Sequence, residues 1–228
     1  MGRRKAGGER ARRAGKAGAP GKRAGYVRLT DRTFVVKVEL LGIAPSIWRR
    51  FTVPGCIRLS ALHEVLQAVM GWEGYHLHEF RIGTDSYGPL DEECPRELKD
   101  EHDATLAKVA PAKGTVLFYD YDFGDGWEHG ATVEDVLPPP LEKGPAGMVP
   151  RCLGGARACP PEDCGGVGGY EEMLRVLDGR SDPDDREELL EWAGDYDPEE
   201  FDVGTVNKML RERFGSPGRA AGHGTHER

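Results

Sequence analysis

Two strand-like runs meeting at Gly124-Asp125-Gly126 constrain the fold of this chain more than any other feature. Glycine accepts positive φ and aspartate bonds nearby backbone amides, so the triplet predicts a tight hairpin turn between Val116–Asp122 and Trp127–Val136. Pro138-Pro139-Pro140 closes the second run, because consecutive prolines cannot donate to a ladder. Trp127 and His129 alternate on the face of Ala131 and Val133, which aims them at a core. The stretch Tyr119 to His129 also crowds acids, an indole and an imidazole into one hairpin. Such groups cost free energy on a folded surface unless they are hydrogen-bonded, metal-bound or solvated.

The remaining periodicities supply partners for this hairpin. Phe34, Val36, Val38 and Leu40 alternate with Lys37 and Glu39, the period of a half-buried strand. After a break at Gly42–Ser46, Ile47, Arg49, Phe51 and Val53 face one way and Trp48, Arg50 and Thr52 the other. Ser60 is placed to cap a helix whose inward stripe is Leu62, Val65, Leu66, Val69 and Met70, with Gly71 at the left-handed C-terminal position. A third strand follows near His76–Ile82. Residues 83–113, rich in glycine, proline and acids, predict little regular structure beyond a short piece near Thr105. The order of strands around one helix predicts an α+β domain with a β-grasp-like mixed sheet wrapping that helix.

An additional C-terminal helical segment follows a Gly/Pro/Cys-rich loop over Gly144–Gly169. Tyr170, Met173, Leu174 and Leu177 mark one helix; Asp182-Pro183 starts a second with Leu189, Leu190 and Trp192; Asp202 caps a third with Val206, Met209 and Leu210. From Glu162 to Asp202 the chain holds sixteen acids and three arginines, a solvated acidic face or a surface for a basic partner. The expected organisation is a disordered basic arm (1–28), one domain (29–213) and a disordered tail (214–228).

The arm carries ten Lys/Arg against Glu9 alone, so a chain of net charge −8 has a body at −17. An arm this poor in large apolar residues cannot offset the entropy of ordering. It serves as a solubilising tail or as a weak, salt-sensitive nucleic-acid contact. The acidic body argues against duplex binding by the folded domain. No apolar stretch approaches the length of a membrane span, and no signal-peptide core follows the basic start, which predicts a cytoplasmic protein without a membrane partner. Five cysteines without a secretion signal favour thiols or metal ligands over disulfides.

Two metal sets are available. Cys152, Cys159 and Cys164 with His129 could hold zinc, although the spacing lacks a Cys-x2-Cys knuckle and buried thiols explain it equally. His76, His78 and Glu79 on one strand, Asp122, Asp125 and His129 on the hairpin, and Glu162-Asp163 in the loop form the second. From these, His78, Asp122, His129, Glu162 and Asp163 could hold a divalent ion for hydrolysis. Against this, His78 shares a face with Phe80 and Ile82 and suits a hydrogen-bonded core histidine, as His63 does. Trp48 with its flanking arginines could stack on a ligand or simply pack. A thiol–His129 nucleophile pair would need a lowered thiol pKa, and no phosphate loop occurs.

Five motifs in order carry a family resemblance: Pro45-Ser-Ile-Trp-Arg-Arg50, Leu62-His-Glu-Val-Leu-Gln67, Gly71-Trp72 with His76-Leu-His-Glu-Phe80, Tyr121-Asp-Phe-Gly-Asp-Gly-Trp-Glu-His129, and Cys159-Pro-Pro-Glu-Asp-Cys-Gly-Gly166. Over about residues 33–213 the chain resembles the plasmid pRiA4b ORF-3-like family, also known as insertion-element passenger proteins. The resemblance implies a bacterial or archaeal protein associated with mobile elements, with no activity to carry over. It brings no recombinase signature: neither a nucleophilic serine in a Rossmann-like domain nor a basic helix-turn-helix is present. Two functions remain open. One is a non-catalytic module contacting a protein or nucleoprotein partner through Trp48, Arg50, Asp122, Asp125, Trp127, His129, Glu162 and Asp163. The other is a metal-dependent hydrolase. Both require His129 and the Glu162-Asp163 loop to share one pocket.

Overall fold

The computed structural model describes residues 27–90, 97–140, 149–180 and 189–215. Its strands are β1 (Thr33–Leu40), β2 (Trp48–Pro54), β3 (His78–Ile82), β4 (Asp85–Gly88), β5 (Lys99–Asp100), β6 (Val116–Tyr121), β7 (Trp127–Leu137) and β8 (Arg151–Ala156). The named helices are α1 (Leu59–Met70), α2 (Leu106–Val109), α3 (Gly166–Leu177) and α4 (Val203–Phe214). All strands join one sheet in the order β5-β4-β3-β6-β7-β1-β2-β8, antiparallel throughout except for β4 with β5. The protein is therefore α+β, and the sheet extends beyond the β-grasp-like set that the element order predicts.

Alternation explains the layering. Phe34, Val36, Val38 and Leu40 of β1, Phe51 and Val53 of β2, Phe80 of β3, Leu117 and Tyr119 of β6 and Ala131 and Val133 of β7 share one buried face with Leu62, Val65, Leu66 and Val69 of α1. A one-residue slip in register would turn each strand's apolar set outward, where every large side chain forfeits about 1.5–3 kcal/mol of burial. The opposite face is charged and self-paired. Arg50 meets Glu134 at 2.5 and 2.8 Å, Arg81 meets Asp120 at 2.6 Å, and Trp48 lies between Lys37 and Arg50.

Several local expectations meet a different answer. Ser60 does not cap α1: the helix begins at Leu59, and Arg58 precedes it without a side-chain cap. The Leu59 amide instead donates to Ala104 O at 3.0 Å, while Leu106 N returns to Ile57 O at 2.9 Å. Residues near Thr105 thus supply the helix start, and the segment expected to be irregular also adds β4 and β5 at the sheet edge. β8 falls inside the expected loop, hidden by its glycines. Gly155 is required there, because a Cβ would come within 2.7 Å of Arg49, Phe201 and the Trp48 carbonyl.

Other expectations hold. Gly71 takes φ 102° and ends α1, and Asp202 accepts from the Thr205 amide at 2.5 Å to begin α4. The chain is helical over 189–193, while the Asp182-Pro183 start lies outside the described residues. So does the basic arm up to residue 26, and the tail from 216. Among the described residues no helix is long and apolar enough to cross a membrane.

Candidate metal centre

Three loops from distant parts of the chain meet at one end of the sheet. The first follows Gly71, where the left-handed cap turns the chain off α1 and into β3. The second is the β6–β7 turn, and the third runs from β8 to α3. Each is tied to another by a specific bond. Asp122 N donates to Leu77 O at 3.0 Å, Trp72 Nε1 to Pro160 O at 2.9 Å, Glu73 N to Glu162 Oε1 at 2.9 Å, and Gly165 N to Asp125 Oδ2 at 3.1 Å.

This framework brings four ligand-type groups together. His76 Nε2 lies 3.6 Å from Asp122 Oδ2, 3.7 Å from Glu162 Oε2 and 3.3 Å from Asp163 Oδ1. None of these is a hydrogen bond, and His76 Nε2 and Glu162 Oε2 are buried atoms without a hydrogen-bond partner. Ligand atoms bound to one ion at about 2.0–2.2 Å lie roughly 3.0–3.6 Å apart, a range that holds the Asp122 and Asp163 distances, with Glu162 just beyond it. For comparison, His78 Nε2 lies 2.8 Å from Glu101 Oε2, an ordinary hydrogen-bond length.

The two better buried carboxylates are held by the oxygen not turned to His76. Asp122 Oδ1 accepts from Gly124 N at 2.9 Å and Asp125 N at 3.3 Å. Glu162 Oε1 accepts from Glu73 N and from the Tyr121 hydroxyl, both at 2.9 Å. Burial and that carboxylate raise the Tyr121 pKa, so the phenol stays a donor. Fixing ligands through outer partners is the usual construction of a metal site. Asp122 and Asp163 also sit at φ 55° and 57°, backbone that non-glycine residues adopt at a cost and that clusters at functional sites. The Asp163 side chain is 72 % exposed, so one side of the cluster is open to solvent. One nitrogen and three carboxylate oxygens suit a divalent ion of mixed N/O preference, such as Mn²⁺ or Zn²⁺.

The structure assembles only part of the sequence-derived sets. Asp122, Glu162 and Asp163 converge, but with His76 rather than His78 or His129. His78 is buried, stacked on His63 with ring centroids 3.6 Å apart and bonded to Glu101. His129 has no exposed surface; its Nδ1 donates to Tyr119 O at 3.0 Å, and burial lowers its pKa to about 4. The expected shared pocket with Glu162-Asp163 does not form. The indole of Trp72 sits edge-on to His129 at 5.0 Å and itself holds Pro160, one layer between imidazole and loop.

The other candidates separate as well. Trp127 is fully buried, whereas Trp48 and Arg50 lie on the opposite face of the sheet, so the eight-residue surface is not continuous. The three thiols do not gather with His129 into a zinc set. Cys152 Sγ contacts Gly154 O at 3.6 Å, and burial raises Cys159 and pushes Cys164 up to about 12, which keeps both protonated. Among the described residues the group with three ligand atoms mutually within 4.8 Å is His76, Asp122 and Asp163. Strand alternation gives His76 and His78 the same direction, which is why sequence does not choose between them. Gly74, two residues before His76, is the usable signal: it keeps that histidine in a loop while His78 opens β3.

Comparison with known proteins places this chain in a family. An uncharacterized protein of Sinorhizobium fredii, y4hQ, is 41% identical over 180 residues, covering 77% of this chain and 89% of that protein. A crystal structure of a protein of unknown function, MM3350 from Methanosarcina mazei Go1, superposes with a TM-score of 0.66 at 38% identity, covering 76% of this chain and 96% of that one. The family model described as plasmid pRiA4b ORF-3-like protein matches residues 32–205, which span the sheet, α1 and all four residues of the cluster, and the chain belongs to that family.

Proposed function

We propose that this domain binds a divalent metal ion through His76, Asp122, Glu162 and Asp163 and uses it as a metal-dependent hydrolase does. The observation that carries the reading is the pair of buried atoms without a hydrogen-bond partner, His76 Nε2 and Glu162 Oε2, 3.7 Å apart, with the same His76 nitrogen also 3.6 Å from Asp122 and 3.3 Å from Asp163. Leaving such atoms unsatisfied costs about 1–3 kcal/mol each, more when charged, and a cation removes both penalties at once. The exposure of Asp163 favours a site that exchanges ligands with solvent over a closed structural one. A divalent ion there would lower the pKa of a bound water. The chain's own part is to fix the ligand atoms, with Tyr121 and the Glu73 amide orienting Glu162 and the turn amides orienting Asp122.

The test is calorimetric titration of chelator-stripped protein with Mn²⁺ and Zn²⁺, followed by hydrolysis assays on chromogenic ester, phosphoester and peptide substrates. One ion per chain is expected, with at least tenfold weaker binding in His76→Asn and Glu162→Gln and hydrolysis abolished by chelator. Wild-type protein that binds no stoichiometric ion rejects the proposal. Binding without hydrolysis rejects its catalytic half and leaves a partner-binding module whose loops an ion fixes.

A further inference from the structure

We infer that Asp125 is a positioning residue for the cation centre, fastening the β6–β7 turn to the 159–165 loop so that Asp122 and Asp163 face His76 together. The inference rests on the metal reading above and adds to it a residue that touches no ion.

A tight turn explains an aspartate at this position only in part. The turn itself is closed by Asp122, whose Oδ1 collects the amides of Gly124 and Asp125. The Asp125 side chain leaves its own hairpin and accepts from Gly165 N at 3.1 Å, forty residues away in the chain. Its backbone meets the same loop. A Cβ on Gly166 would lie 2.3 Å from Asp125 O, and Gly166 holds φ +67°, so the loop reaches this distance only with glycine there. Asp125 thus joins one carboxylate ligand, through its amide, to the loop carrying two others, through its side chain.

The need for a fastener follows from the backbone. Asp122 and Asp163 both occupy the left-handed region, which costs non-glycine residues roughly 1–2 kcal/mol; Asp122 is held there by its own turn, whereas Asp163 depends on how its loop is held. The other ties between loops act on different members: Trp72 holds Pro160, and Glu73 holds Glu162. Asp125 is the tie that acts on the segment directly following Asp163.

Mn²⁺ titration of the chelator-stripped full chain compares wild type with Asp125→Ala, Asp125→Asn and Gly166→Ala, each at a temperature where its metal-free form is folded. Asp125→Ala should weaken binding about tenfold, the low end of the loss seen when a group bonded directly to a ligand is removed, because Asp125 acts through the Gly165 amide. Asp125→Asn should stay within about threefold of wild type, because its amide oxygen still accepts from Gly165 N. Gly166→Ala, which leaves every carboxylate in place, should fall in the direction of Asp125→Ala. Wild-type affinity in Asp125→Ala overturns the inference. An Asn variant as weak as the Ala variant also overturns it, since the carboxylate charge rather than the fastening would then matter. Absence of Mn²⁺ binding by wild type instead overturns the metal reading, and the inference with it.

Discussion

Acidification should destabilise this protein through His129 in a way that one substitution removes. The imidazole has no exposed surface, and burial lowers its pKa from 6.5 to about 4, opposed only in part by its bond to the Tyr119 carbonyl. Above pH 6.5 both folded and unfolded chains carry it neutral and no penalty exists. As pH falls below 6.5 the unfolded chain takes up a proton that the folded chain refuses, so stability is lost until the folded pKa near 4. Each pH unit in that window costs about 1.4 kcal/mol, which totals about 3.5 kcal/mol. Urea unfolding of wild type and His129→Asn between pH 7 and pH 4.5 measures it. The asparagine amide retains the bond to Tyr119 O, and the cavity it creates lowers stability by an amount independent of pH. The stability gap between the two proteins should therefore narrow by about 2.5 kcal/mol between pH 7 and pH 4.5, while contributions from the carboxylate cluster cancel. A gap that stays constant would refute the reasoning, because the folded protein would then be protonating the ring.

Two further substitutions probe how the sheet and loops are joined. Arg49 is buried and donates to the carbonyls of Val69, Trp48 and Ala156 at 2.8–2.9 Å, so Arg49→Met should lose about 3 kcal/mol in denaturant unfolding by leaving those acceptors unpaired. Trp72→Phe keeps the ring but removes the donor to Pro160 O; it should cost about 1–2 kcal/mol in thermal unfolding and weaken Mn²⁺ binding severalfold in titration.

Strands with one apolar face were legible because period-two alternation leaves little choice of direction. Phe34 through Leu40, Ile47 through Val53 and the Gly124–Gly126 hairpin all occupy the predicted faces. β8 was not legible, because it pairs through glycines that fit beneath Phe201 and Arg49, a tertiary requirement with no local pattern. The start of α1 escapes local pattern for a similar reason: the Leu59 amide is met by Ala104 O, far along the chain, rather than by Ser60. Within the candidate site, Asp122 and the Glu162-Asp163 pair stood out because acids beside turn glycines and prolines are poor core material. The histidine did not, since His76, His78 and His129 all carry an imidazole near the same strands. Depth separates them, and depth depends on where Trp72 and Tyr121 stack, at 4.9 Å, beyond what periodicity specifies.

The three loops that build the cluster leave α1, β6 and β8, and its residues at 76, 122 and 162–163 become neighbours only after the sheet has closed around them. No fragment holding a single hairpin contains more than part of the set. An ion gripped there would behave as a reversible cross-link spanning most of the domain, recognising the native chain and ignoring the denatured one. Metal availability would then govern how long the whole protein resists unfolding and proteolysis, beyond anything that happens at the open face of the site.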